Sequence, residues 1–410
     1  MTPSDDTPAR PVIHGTCDPK FEAVAAAFEA NFAEMDEVGA SVSVTIEGET
    51  VVDLWGGLAD PERRTPWRRD TVCPVFSCTK AATAICAQIL IDRGDLDLDA
   101  PIAAYWPEFA QAGKEDATVL MALNHSVGLP ALRDPVPEGA FNDWDAMTAR
   151  LAAEAPFWAP GARNGYHMIT FGWLVGELVR RVSGMSLGAF FAEEVAEPLG
   201  LDFWIGLPKD KDRLFAPILP FRPGPDAPKS AFVAALADPT SLQALALLNT
   251  GKFNINDAAT RKAENGGAGG VANARGLAGL FAPLANGGKA GDVQLLSPAR
   301  IDAMRAVSVE TDEDATLLAP TRFGQGFMLS MDNRKQPPHQ DNSVIMGAGA
   351  FGHVGAGGSI GFADPERRMS LGYAMTRMGG GIFLNDRGQG LVDAAYRTVG
   401  ATGDASGVWA

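Results

Sequence analysis

The chain has 410 residues, 46% of them hydrophobic and 20% charged, enough for a large core and, at roughly 150 residues per domain, for two or three lobes. Its net charge of −16 and pI near 4.8 argue against a nucleic-acid partner, which would need a basic face; a solvated acidic surface accounts for the balance. The first residues, Met1 to Asp6, show no basic segment leading into an apolar one, and no apolar run of about 18 residues occurs. Neither a signal peptide nor a membrane span is therefore expected. Cys17, Cys73, Cys78 and Cys86 lack C-x-x-C spacing, so no zinc site or disulfide framework is indicated and a reducing cytoplasm fits best.

In chain order, residues 1–18 read as an extended polar arm. Lys20 to Met35 has helical spacing through Phe21, Val24, Phe28 and Phe32. Ala40 to Ile46 alternates, turns at Glu47-Gly48-Glu49 and returns over Val51 to Trp55, which predicts a hairpin closed by Trp55-Gly56-Gly57. A charged loop, Pro61 to Arg69, leads to Ser77, and an alanine-rich apolar helix runs from Ala81 to Ile91 and stops at Gly94. The alternating acids of Asp95 to Asp99 resemble a calcium loop, but its glycine and terminal glutamate are absent from the register, so no metal is expected.

Helices are predicted over Ala117 to Asn124, Trp144 to Glu154 and Thr170 to Val182. The proline-rich stretch 207–239 reads as a long irregular excursion of the kind that carries function or moves. Gly266 to Gly270 breaks the chain before a helix over Ala272 to Ala285. Strands return at Gly324 to Met331, Phe351 to Ala363 and Met369 to Met375, the last two joined by Asp364 to Arg368, and an amphipathic helix over Gly388 to Val399 closes the chain. Strands at both ends around a helical insertion are most simply paired in one antiparallel sheet. The expectation is an α+β fold: a discontinuous sheet lobe from 1–105 and 286–410, and a mainly helical lobe from 106–285.

Three stretches can carry chemistry. Ser77-x-x-Lys80 sets a hydroxyl and an amine on one face at a helix start. A plain N-cap serine with a surface lysine explains the pattern equally well. The flanks decide against it: Ala81, Ala82, Ala84, Ile85 and Cys86 make the helix apolar nearly all round, so Lys80 is buried, loses proton affinity and becomes a base at neutral pH. Tyr166-His167-Met168, at a loop-to-helix junction, offers a phenol for proton transfer, against the plainer reading of a tyrosine at a core edge. Phe351 to Ser359 is denser in glycine than a twisted strand needs, which points to backbone N–H groups beside a ligand. Gly184-Met185-Ser186-Leu187-Gly188 matches the nucleophile elbow of α/β-hydrolases, but a helix precedes it where that motif requires a strand.

Taken in this order, the three stretches resemble the serine β-lactamase and penicillin-binding superfamily in its class C-like branch, and within it the family VIII carboxylesterases. The resemblance covers roughly residues 20 to 398, supported by Trp55-Gly56-Gly57, Asp95 to Pro107, Leu123 to Leu129, Pro160-Gly161, Gly269-Gly270 and Asp364-Pro365-Glu366. It implies an active site in a cleft between the two lobes. Ser77 is then the acylated nucleophile, Lys80 its base and Tyr166 the third member. The backbone N–H groups of Ser77 and Ala356 form the oxyanion hole, with Gly357 as the alternative alignment, and Trp158, Met168, His353 and Gly355 line the substrate pocket.

Two departures from the family pattern bear on substrate. The family's Lys-Thr-Gly is His353-Val354-Gly355 here, and the asparagine usual after the tyrosine is Met168. Both changes remove groups that grip a β-lactam or D-peptide and leave a more apolar pocket. A carboxylesterase on small esters, without metal or cofactor and with weak β-lactam hydrolysis at most, is the expectation. An amidase, D-aminopeptidase, β-lactamase or transacylase on the same machinery is the enzymatic alternative, and a non-catalytic acylated sensor the other class. No nucleic-acid or membrane partner is expected, and a homo-oligomer is left open.

Overall fold

The computed structural model describes residues 11–224, 230–336, 343–381, 383–403 and 408–410. Part of the predicted arm (1–10) and of the excursion (225–229) lies outside them.

The main sheet is antiparallel throughout. Its strands run, edge to edge, Ile13–Cys17, Glu49–Asp60, Gly39–Ile46, Met369–Met375, Ile360–Asp364, Phe351–Val354, Met328–Leu329, Thr321–Phe323 and Val309–Thr311. Strands from both chain ends thus meet in one sheet, with Gly39–Ile46 beside Met369–Met375.

Its two faces differ in side-chain size, and that difference selects their helices. Val42, Val44, Phe362, Leu371 and Tyr373 form one core with Val24 and Phe28 of the helix Glu22–Glu34 and Leu391 and Val392 of the helix Asp386–Thr398. On the other face Gly361, Gly372 and Ser43 are paired in a row across three strands. The helix Ala274–Ala285 lies along this row: a Cβ on Gly372 would fall 2.3 Å from the Ala274 carbonyl oxygen, and one on Gly361 2.7 Å from Phe281. The Ser41 hydroxyl accepts the Ala274 N–H at 3.2 Å, and Ser370 donates to the Ala278 carbonyl at 2.8 Å. The division of the chain at residue 285 therefore separates this helix from the sheet it covers.

A second core surrounds the helices Cys78–Arg93, Phe171–Ser183 and Leu187–Phe191. A small antiparallel sheet of Cys73–Phe76, Gly270–Ala272 and Phe203–Ile205 adjoins it.

Several sequence expectations need correction. Ile13–Cys17 pairs with Glu49–Asp60 instead of trailing as an arm, and Glu49–Asp60 continues past Trp55-Gly56-Gly57, which does not close the hairpin. Phe351 to Ala363 is two strands, because Gly357 and Gly358 take positive φ (88° and 108°) and turn the chain back. Of Gly324 to Met331 only Met328–Leu329 is a strand, because the chain turns back from Thr321–Phe323 through Gly326 (φ 94°). The excursion is not wholly irregular: Lys209–Leu214 and Ala231–Ala235 are short helices.

Candidate active site

Strand Cys73–Phe76 runs straight into helix Cys78–Arg93, and the joint is strained. Phe76 sits at φ 44°, in the left-handed region that a phenylalanine rarely adopts. Thr79 holds the joint: its hydroxyl donates back to the Phe76 carbonyl and accepts the Gly270 N–H at 2.8 Å. The turn leaves Ser77 partly exposed, while every helix residue from Cys78 to Leu90 is buried. Ser77 makes no side-chain cap to its helix. Its Oγ lies instead 3.0 Å from Lys80 Nζ, which removes the plain N-cap explanation.

Lys80 has no carboxylate partner among the described residues. Its Nζ donates to the backbone carbonyls of Met168 (2.5 Å) and Gly267 (2.8 Å). Full burial pushes its pKa well below the ordinary lysine value. The third direction of the nitrogen faces Ser77 Oγ. A neutral amine keeps both carbonyl bonds and turns its lone pair to the serine proton.

Tyr166 completes the group. Its ring centroid is 4.8 Å from Lys80 Nζ, and its face stacks on Phe323 with ring centroids 5.9 Å apart. Burial raises the phenol's pKa, opposed by a hydrogen bond to the Ser77 side chain, so Tyr166 is neutral. Its hydroxyl lies 3.5 Å from His353 Nε2, while His353 Nδ1 is 2.7 Å from the Val354 carbonyl. A carbonyl only accepts, so Nδ1 carries the proton and Nε2 presents a lone pair to Tyr166. Burial, then the nearby Lys80 charge, lower His353 to about 3, keeping it neutral.

The hairpin turn after Phe351–Val354 lies against the strand that leads to the serine. Gly355 has no room for a side chain: a Cβ there would fall 2.2 Å from the Val75 carbonyl oxygen. Ser359 donates to that same carbonyl at 3.1 Å, and the Cys78 thiol to the His353 carbonyl at 3.2 Å. The next residue, Ala356, is exposed at the turn, while Gly357 is buried against Met378.

The structure thus brings Ser77, Lys80 and Tyr166 together, with His353 joined to them through Tyr166. The remaining predicted pocket residues sit differently. Met168 offers its carbonyl to Lys80, and its half-buried side chain packs against both cores. Trp158 donates to the Ser126 carbonyl at 3.3 Å and packs over Gly165, one residue before Tyr166. His353 and Gly355 are buried, and the His353 ring faces the Tyr166 hydroxyl. Ser186 does what Ser77 does not: exposed, it caps the helix Leu187–Phe191 by accepting the Ala189 N–H and donates to Glu264 at 2.9 Å.

Sequence reasoning assigned no role to the cradle of Tyr166. The stretch Asn124 to Leu129 accepts Gly165 N–H on the His125 carbonyl (3.1 Å) and His167 N–H on His125 Nδ1 (3.2 Å), and Leu129 N–H donates to His167 Nε2 (2.9 Å). Burial first, then the charge of Lys80, hold His167 at about 3, offset by a hydrogen-bonding interaction with the Gly165 backbone, and burial holds His125 far below its usual value; both act as neutral struts. The presence of this stretch among the family-like segments was the available signal. Among the described residues no group of His, Cys, Asp and Glu is placed to hold a metal ion, and no helix is long and apolar enough to cross a membrane.

Comparison with known proteins shows the family and the fold. The Beta-lactamase family model matches residues 25–395. The chain is 33% identical to the esterase/beta-lactamase LipL of Mycobacterium tuberculosis (strain ATCC 25618 / H37Rv), over 91% of this chain and 85% of that one. Among solved structures, a family VIII carboxylesterase is 41% identical with a TM-score of 0.83, covering 94% of this chain and all of that one. A penicillin-binding protein homologue from Caulobacter crescentus is 39% identical with the same TM-score and coverage.

Proposed function

The chain belongs to the beta-lactamase family and is a serine hydrolase of the esterase and β-lactamase kind, and we propose that it is a carboxylesterase acting on small esters through an acyl-enzyme on Ser77. The observation that carries the reading is Lys80. It is fully buried, held by two carbonyls that can only accept, and left with one direction, toward Ser77 Oγ at 3.0 Å.

The serine proton passes to Lys80 as Oγ attacks the ester carbonyl carbon. Negative charge gathers on the carbonyl oxygen, where the N–H groups of Ser77, at a helix start, and Ala356, at the exposed turn, are the donors. Collapse expels the alcohol, whose oxygen takes the Tyr166 proton; Lys80 returns its proton to Tyr166. Water then attacks the acyl carbon, Lys80 takes its proton, and Ser77 leaves with that proton while the acid is released. Each cycle consumes ester and water and yields alcohol and acid.

The choice of ester over β-lactam rests on His353, Val354 and Met168. A lysine at position 353 would present a cation and N–H donors to a substrate carboxylate. Neutral His353 presents a lone pair, already directed at Tyr166. Val354 brings no hydroxyl, and Met168 brings no side-chain amide. The similarity to a family VIII carboxylesterase supports this choice, and the penicillin-binding homologue supports a residual β-lactam activity.

The test compares turnover of p-nitrophenyl butyrate, nitrocefin and a D-alanyl amide by the same preparation. Ester turnover is expected to exceed the other two by at least about tenfold. Fast amide cleavage with negligible ester cleavage would reject the reading, and a permanent Ser77 adduct without turnover would make the protein a sensor.

A further inference from the structure

Tyr166 is gripped from outside the catalytic group by a buried carboxylate. Asp314 is 0% exposed, and no lysine or arginine pairs with it among the described residues. Both of its oxygens accept the Tyr166 backbone N–H, each at 2.9 Å. It also accepts the N–H groups of Thr316 and Leu317 at 2.9 Å each, and the Thr321 hydroxyl lies 3.3 Å away. Burial pushes the Asp314 carboxyl upward, while these donors favour the charged form. An unpaired carboxylate is expensive to bury, and charge-assisted hydrogen bonds from fixed N–H groups are the means of offsetting that cost.

The grip matters because nothing regular fixes Tyr166. Residues 163–167 belong to no helix or strand, so no ladder sets the backbone that aims the phenol. The loop around Asp314 supplies that constraint at Tyr166 itself, while the Asn124 to Leu129 stretch holds its neighbours Gly165 and His167. Ala315 N–H donates to the Asn164 carbonyl at 3.0 Å, and Asn164 Oδ1 lies 3.1 Å from the Thr321 hydroxyl. The loop is itself tied down by Gln243, in the helix Leu242–Leu248, which donates to the carbonyls of Ala315 (2.9 Å) and Thr316 (3.1 Å).

We propose that Asp314 is a positioning residue for Tyr166, holding the phenol over Lys80 and within reach of Ser77 through the tyrosine's own backbone N–H. The proposal deepens the acyl-transfer reading and rests on it. Asp314 touches no reacting atom, so its effect must pass through Tyr166.

That dependence supplies the test, a double-mutant cycle of Asp314→Asn and Tyr166→Phe read in kcat for p-nitrophenyl butyrate. A displacement of about 1 Å at a proton-transfer group is worth up to roughly a hundredfold. Asp314→Asn is therefore expected to lower kcat about tenfold to a hundredfold, with KM within about threefold, in the parent and less than about twofold once Tyr166 is phenylalanine. Equal losses in both backgrounds overturn the proposal, because a merely structural carboxylate costs the same with or without the phenol. Where Asp314→Asn does not fold, Thr321→Val is read in the same cycle: a loss confined to the Tyr166 background supports the proposal and an equal loss overturns it. Should the parent not turn over the ester, the esterase reading fails separately, and the cycle is read in the rate of Ser77 labelling by a fluorophosphonate.

Discussion

Among the described residues two lysines are fully buried, and their surroundings differ in one atom type. Lys114 Nζ donates to three carbonyls, of Gln111 (2.9 Å), Ala152 (3.0 Å) and Glu154 (2.7 Å), and sits 5.1 Å from the Phe109 ring. Lys80 Nζ has two carbonyls, the Ser77 hydroxyl, and the Tyr166 ring at 4.8 Å. Burial lowers the proton affinity of both, and at Lys114 the charges of Glu115 and Glu154 pull it back up. Three carbonyls use all three ammonium protons, so losing one would strand an acceptor, and Lys114 is a charged staple. A hydroxyl can reverse its hydrogen bond, so Lys80 can lose its proton and keep three partners. The comparison locates the base in the replacement of one carbonyl by one serine, more than in burial.

The largest effect should come from that serine. Ser77→Ala is expected to lower kcat for p-nitrophenyl butyrate by about 10³-fold or more, with the thermal unfolding midpoint nearly unchanged. Lys80→Met should follow at about 10³-fold, since the hydroxyl then has no base. Lys114→Met should reverse the balance. Activity stays within about threefold of the parent, while urea unfolding shows a loss of about 2–5 kcal/mol because three carbonyls lose their donor. A Lys114→Met variant as inactive as Lys80→Met would break the comparison.

The pH dependence sharpens it. Lys80 has a folded-state pKa well below the 10.5 of a free lysine. Its contribution to stability is complete above 10.5 and is lost as pH falls toward the folded value, because the unfolded chain binds the proton first. Stability should therefore rise with pH across that window in the parent and rise less in Lys80→Met, which urea titrations at several pH values would measure. The acylation rate should climb through the same folded-state pKa and be flat above it. A stopped-flow rate still climbing as pH approaches 10 would mean that Lys80 is an ordinary ammonium. The smallest effect belongs to Ser186→Ala: unchanged kcat and a loss of about 1 kcal/mol from an exposed N-cap.

How much of this was legible follows from which atoms do the work. Ser77, Lys80 and the apolar flank of their helix are side-chain facts, and the spacing read together with that flank brought them together. The carbonyls of Met168 and Gly267 belong to the backbone and leave no mark in residue type. Gly266 to Gly270 could be read only as a break; its glycines let the chain pack against Gly172 and Ile169 and bring a carbonyl to Lys80. Asp314 meets Tyr166 across 148 positions, and no local pattern distinguishes it from the chain's many solvated acids. The reversal at residues 355–359 was missed because alternation continues on both sides of it, and two positive-φ glycines are invisible to a period-two pattern. The fold at large was legible because its strands alternate cleanly and sit at both chain ends, leaving one simple pairing.

The most direct test of the central claim is rapid-quench peptide mass spectrometry during turnover of p-nitrophenyl butyrate. A butyryl group on Ser77 that forms and decays at rates consistent with kcat, and that does not form in Lys80→Met, is the predicted result. Turnover with no adduct at Ser77, or with the adduct at Ser186, would contradict it.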